Sequence, residues 1–207
     1  MAERDDTTAA SVFVLFRDTA AAVTTSATPL AERSDHESRV GAATDRILVT
    51  TAWSPPYESY DSLTIDRPTL RPIEETVTSR RARYHYRYDN ARVVGTAQLE
   101  SGSVAVDRTF DERVFAFNEL ELLVRSLRYH AGDRFVVPLF SEADRNVEHD
   151  TLRVVGSVST ARSRVWTIDF ADPVITTRYR VDEASRRILD ATTVQRKSGI
   201  GFRMRQR

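Results

Sequence analysis

Apolar and polar residues alternate along most of this chain with a period of two, the spacing of strands that bury one face. One stretch in the middle breaks that rhythm. Between Asn118 and Tyr129, Leu120, Leu123, Val124 and Leu127 recur at helical spacing while Glu119, Arg125 and Arg128 face away, which predicts a single amphipathic helix. Asn118 suits the N-cap, Glu121 at N3 completes a capping box, and Gly132 supplies the C-terminal stop.

Ahead of the helix, residues 1–10 are small and polar and read as disordered. Val12–Phe16 reads as a short apolar strand with Ala20–Thr25 as its partner. Arg39–Trp53 reads as one long strand with Ile47, Val49, Thr51 and Trp53 on one face, ended by Ser54-Pro55-Pro56 because proline donates nothing to a ladder. Tyr60–Asp66, Ile73–Ser79, Arg81–Tyr88, Arg92–Glu100 and Ser103–Asp107 follow, with Asp89-Asn90 as a tight hairpin turn. After the helix come Arg134–Phe140, Thr151–Ser159, Arg164–Phe170, Val174–Val181, Arg187–Val194 and an edge at Gly201–Arg205. A lone helix among antiparallel strands needs a curved sheet to receive its apolar face. The expected fold is therefore mainly β: one domain over residues 11–207, a single curved antiparallel sheet of about a dozen strands forming a half-barrel or open barrel, with the helix on its concave face.

Composition narrows the functional classes. With 41% apolar and 29% charged residues the chain is a globular protein and not a disordered one. Its net charge of zero provides no global field to recruit nucleic acid, and no nucleic-acid partner is expected. There is no cysteine, which excludes a disulfide framework, a zinc–thiolate site and a thiol nucleophile. No apolar run reaches the roughly eighteen residues of a membrane-spanning helix, so the chain is not expected to span a membrane. Charge is uneven. The first third runs acidic, and Arg196, Lys197, Arg203, Arg205 and Arg207 form a basic tail that reads as a solvated edge strand guarded by charge.

Candidate chemistry is sparse. His36, His85, His130 and His149 lie far apart, without the close spacing that local metal sites show. There is no Gly-x-Ser-x-Gly elbow and no phosphate-cradling glycine loop. Glu74 and Glu75 are adjacent, so on a strand they point to opposite faces and cannot work together as acid and base. No catalytic residue, metal or cofactor is expected, and the protein reads as non-enzymatic. Tyr84, Tyr86 and Tyr88 share one strand face and suit cross-strand packing. Trp53, Tyr57 and Tyr60 flank the Pro55-Pro56 loop and suit the rim of a cavity. With Leu123 and Leu127 on the helix they are the candidate ligand contacts.

Several segments also carry a family resemblance. Asp66-Arg67-Pro68-Thr69-Leu70-Arg71-Pro72 sits between two strands, and Tyr88-Asp89-Asn90-Ala91-Arg92-Val93-Val94-Gly95 follows it. Next in order come Leu120–Leu127 on the helix, Gly132-Asp133-Arg134-Phe135, and Tyr179–Leu189. Together, over residues 40–195, these resemble exported bacterial proteins of unknown function related to the outer-membrane lipoprotein carriers of the LolA/LolB type. The resemblance implies a β half-barrel, location in the periplasm or at the outer membrane, and no defined functional residues to carry over. Met1–Asp6 has no leader character, so a trimmed leader is the expectation. The expected function is the binding or carriage of an apolar or lipid-like ligand in the concave cavity, with the helix as plug or lid. The alternative is a structural or protein-interaction module of the cell envelope, with a filled core, no ligand and an envelope protein as partner.

Overall fold

The period-two segments form fifteen strands of one sheet. The computed structural model describes residues 7–18, 29–40 and 45–206. Eight strands come first: β1 (Thr7–Asp18), β2 (Ala31–Arg39), β3 (Arg46–Trp53), β4 (Ser59–Asp66), β5 (Arg71–Thr78), β6 (Ala82–Asp89), β7 (Arg92–Leu99) and β8 (Gly102–Thr109). A crossing segment follows, made of the two-residue β9 (Phe115–Ala116), a 3-10 turn (Phe117–Glu119) and helix α1 (Leu120–Ser126). The chain ends with β10 (Arg134–Ser141), β11 (Asn146–Ser159), β12 (Arg164–Ala171), β13 (Ile175–Asp182), β14 (Ile188–Gln195) and β15 (Gly201–Gln206).

Consecutive strands pair antiparallel, giving one meander from β1 to β8 and another from β10 to β15. β1 joins them by pairing with β2 on one side and β15 on the other. The two outer ends of the sheet are therefore β8 and the β9–β10 pair, and β9 is the one strand that runs parallel to its neighbour. Because the 3-10 turn and α1 lie in the connection between these ends, the chain must carry the helix across the open side of the curve. The single curved sheet with one central helix is as the sequence pattern predicts.

The interior divides in two. Under the C-terminal meander, Trp166, Ile168, Phe170 and Tyr179 form one apolar cluster with Leu120, Leu123 and Val124 of the helix. Between β3–β8 and β9–β10, Ile65, Tyr86, Tyr88, Val93 and Phe140 form another. Phe140 meets Tyr86 edge-on at 5.2 Å and Tyr88 at 6.1 Å. The tyrosine stripe of β6 is thus cross-strand and cross-barrel packing, with His85 and Arg87 outside.

Some boundaries differ from expectation. β1 begins at Thr7, inside the stretch read as disordered, because its main chain pairs with β2. The long strand read over Arg39–Trp53 is the end of β2 and the whole of β3, which pair with each other. The segment Ala20–Thr25 lies outside the described residues. β15 is no edge strand, since β1 and β14 cover both its sides. The helix is shorter than Asn118–Tyr129: it starts as a 3-10 turn, and Leu127 is already extended. Asn118 is not the N-cap and Glu121 completes no capping box, because both side chains are committed to the sheet. Gly132 instead opens the turn into β10, with its N–H on the Val154 carbonyl.

Turn chemistry follows the sequence closely. Asn90 takes positive φ in the β6–β7 hairpin. In the Asp-Arg-Pro-Thr-Leu turn, Asp66 accepts hydrogen bonds from the Thr69 main chain and hydroxyl, and Leu70 is left-handed. Close approach makes a different demand at Gly95, where a Cβ would stand 1.9 Å from the His85 carbonyl oxygen. Gly95→Ala should destabilise the protein by about 1–3 kcal/mol in urea denaturation. Gly156→Ala, whose Cβ meets nothing within 4 Å, should leave the midpoint nearly unchanged.

Candidate functional site

Strand register sets polar side chains in rows on the concave face. Ser11, Asp35, Thr51 and Asp61 align across β1–β4, and Phe13, Arg33, Trp53 and Ser59 form the next row. Arg33 is the centre of the first group. Its Nε and Nη2 donate to the two carboxylate oxygens of Asp35 at 2.8 and 2.7 Å. Nη1 and Nη2 also donate to Glu121 on α1 at 2.7 and 2.5 Å. The guanidinium stands 5.3 Å from the Phe13 ring centre and 5.7 Å from that of Trp53. Burial opposes its charge, but Glu121 and then Asp35 outweigh that effect and raise its pKa further. One turn along the helix, Arg125 donates to Glu37 of β2. Two ion pairs thus fasten the charged edge of α1 to β2.

A second group lies at the 3-10 turn. Glu75 of β5 is fully buried and accepts from the Tyr88 hydroxyl at 2.5 Å and from the Asn118 amide at 3.0 Å. The same amide donates to Glu142, in the turn after β10, at 3.2 Å. Burial raises the Glu75 pKa against the pull of these hydrogen bonds, and burial with the Glu75 charge raises that of Glu142 well above the usual range. Glu119 is also fully buried, and neither of its oxygens has a hydrogen bond of normal geometry. Burial lifts it to about 8, against weaker opposition from the Ala116 main chain and Arg113. Asp61 is lifted to about 7, first by burial and then by the Glu75 charge.

Between these groups, beside the helix, is a cavity of about 50 Å3 lined by Arg33, Asp35, Thr51, Glu119, Leu122 and Arg125 among others. Of the five ligand contacts read from sequence, none is in its lining. Leu123 is buried in the core on the other face of the helix and Leu127 packs partly buried against the same cluster. Trp53 is half-buried against Arg33 and meets Tyr57 edge-on, while Tyr57 and Tyr60 are 45% and 48% exposed. The structure therefore brings Trp53 and Tyr57 together, and Trp53 packs against the same apolar cluster that holds Leu123 and Leu127.

The interior acids and Arg33 escaped sequence reasoning. One signal was available: β2 reads Ala-Glu-Arg-Ser-Asp-His-Glu-Ser-Arg, polar on both faces. In a curved sheet such a strand must turn one polar face inward. The reading of Glu74 and Glu75 as pointing apart is correct, but Glu75 finds a distant carboxyl partner that adjacency cannot reveal.

The histidines stay outside this interior. His85 contacts Glu74, His130 contacts Asp133 and His149 contacts Glu112, all on exposed side chains. Among the described residues no group of three His, Asp or Glu side chains is placed to hold a metal ion, and no helix is long and apolar enough to cross a membrane. Two sequence motifs anchor the crossing segment. Arg113 donates to the Thr69 carbonyl, and Arg186, left-handed in the β13–β14 turn, donates to the Leu127 carbonyl at 2.7 Å.

Fold and site together describe a β-barrel-like protein: one open curved sheet with a helix laid across its concave side. The chain belongs to the family described as Protein of unknown function (DUF3108), whose model matches residues 21–195. It is also similar to the crystal structure of a β-barrel-like protein, a domain of unknown function (DUF1849), from Brucella abortus. That likeness covers 96% of this chain and 95% of the other at a TM-score of 0.60 and 11% identity, so it concerns the fold alone. No curated protein matches the sequence.

Removing Arg33 strands two acids that face each other across the helix–sheet contact. Arg33→Ala should cost about 3 kcal/mol in denaturant unfolding, at the low end for a broken buried pair because the site is partly hydrated. Arg80→Ala breaks a pair whose side chains are 64% and 43% exposed and should leave the unfolding midpoint unchanged.

Proposed function

We propose that this chain is a non-enzymatic binding domain of the bacterial envelope, and that α1 is a displaceable cover over the site for an apolar or amphipathic ligand. One observation carries the reading. The apolar cluster of the C-terminal meander is covered on its open side by a helix of only seven residues, whose other edge is fastened by ion pairs. Exchanging these ion pairs for water costs little when both ends regain hydration, because that hydration offsets the attraction they lose, unlike deletion of one partner, which strands the other. Lifting the helix would present Trp166, Ile168 and Phe170 to a ligand, and burying ligand there would return about 25 cal/mol per Å2 of apolar surface. The charged edge would then face the polar end of an amphipathic molecule. Location in the periplasm or at the outer membrane, and kinship with the lipoprotein carriers, follow from the motif resemblance and belong to the same proposal.

A second reading has its own support. The cavity beside the helix holds about 50 Å3, too little for an acyl chain, and Leu123 is already buried. These features support a filled interaction module that would use its outer surface for a protein partner.

Native mass spectrometry of protein purified from bacterial membranes separates the two, together with binding of an environment-sensitive naphthylamine dye. The cover reading expects adducts of lipid mass on the wild-type protein, and tighter dye binding by Arg33→Gln/Arg125→Gln, which loosens the charged edge. Absence of adducts, with dye binding undetectable in both proteins, would establish the filled module instead.

A further inference from the structure

The 3-10 turn that leads into α1 is held to the sheet through carboxyl groups that form no ion pair among the described residues. Asn118 is exposed, yet its amide reaches inward and bridges Glu75 on β5 and Glu142 after β10. One amide nitrogen reaches Glu75 at 3.0 Å and Glu142 at 3.2 Å, which sets the two carboxyl groups side by side, a geometry that disfavours two charges and that one shared proton relieves. The next residue, Glu119, is fully buried with both oxygens outside normal hydrogen bonding, a placement that suits only the neutral acid. Among the described residues no arginine donates a hydrogen bond to any of the three. We infer that Glu75, Glu119 and Glu142 form a proton-loaded clasp, which holds the 3-10 turn and the start of α1 closed and releases them when the acids ionise.

Release at this end is favoured because Asn118 is already at the surface. A small outward movement of the turn takes Glu119 to water and parts Asn118 from both acids. The surrounding groups bias the clasp in both directions. Arg113, ahead of β9, favours ionisation of Glu119, and Arg33 of β2 favours that of Asp61. Asp61 of β4 and Asp35 of β2 add negative charge that opposes it, Tyr88 of β6 donates to Glu75, and Tyr86 beside it feels both Glu142 and Arg145. Glu121, on the next turn of the helix, is committed to Arg33.

The direction in pH follows from the raised values. A carboxyl whose closed-state pKa lies above its open-state value binds its proton more tightly when closed. The hold is complete below the ordinary carboxylate range and is lost as pH rises through the closed-state value, about 8 for Glu119. The inference deepens the cover reading but concerns the helix without ligand, so failure of one does not entail failure of the other.

Amide hydrogen exchange across residues 117–126, corrected for the intrinsic pH dependence of exchange, tests it in the full chain. Local opening should rise by up to about a hundredfold over two pH units for each proton released, one held by Glu119 and one shared by Glu75 and Glu142, while strands β3–β6 keep their protection. Glu119→Gln, which mimics the neutral acid, should lessen that rise by removing one of the two protons. Glu142→Gln sits at a partly exposed position and removes the need for the shared proton, so it should lessen the rise independently if the first variant fails to fold. Opening that is flat with pH, that rises equally in wild type and both variants, or that appears only with loss of the whole sheet would overturn the clasp.

Discussion

The main-chain ladder on both sides of β1 is the constraint from which the rest of the architecture follows. Each meander is built from local hairpins and would exist as a separate sheet. Pairing of β1 with β2 and with β15 makes them one surface and places the first described strand beside the last. Once the meanders are joined there, their free ends lie at β8 and β10, and the connection between those ends has to cross the concave side. The helix is therefore interior by topology before any side-chain contact is considered.

Its chemistry then splits the concave face. Toward β10–β15 the interior is an apolar cluster that accepts Leu120, Leu123 and Val124. Toward β2–β5 it is a lattice of polar groups, in which Arg33 bridges Asp35 and Glu121 while Glu75, Glu119 and Glu142 are held by protons. Buried groups of this kind are weak sources of stability, since water would solvate them better. They do confer an orientation: the charged edge of α1 fits only over β2, and the apolar face then meets the C-terminal cluster. They also make that edge the part most sensitive to ionic conditions and pH.

The sheet was legible from sequence because a residue pattern of period two needs no knowledge of distant partners. Val93, Val137, Ile168 and Val181 declare their faces locally, and Asn90 declares its turn. The existence of the helix was legible for the same reason, through Leu120, Leu123 and Val124. Its length was not, because the groups that would have capped and extended it are taken by tertiary partners: Asn118 by two acids, Glu121 by Arg33, and the Leu127 carbonyl by Arg186. The charged interior was hidden more deeply. The Arg33–Glu121 contact joins positions 88 residues apart, and on a strand an inward acid looks like an outward one until curvature says which side is closed. Trp53, Tyr57 and Tyr60 were legible as neighbours at a proline loop, but the packing of Trp53 against the cluster of Leu123 depends on the path of the crossing segment.

The central claim is that α1 is a cover that moves and not a fixed plug. Because the chain has no cysteine, two introduced cysteines can be spin-labelled uniquely. Ser126→Cys at the exposed end of the helix and Arg83→Cys on the outside of β6 report the distance between cover and shell by double electron–electron resonance. A displaceable cover requires one narrow distance distribution in the free protein and a longer population when a lysophospholipid is added below its micelle concentration. A single distribution that stays in place at saturating lipid would contradict it.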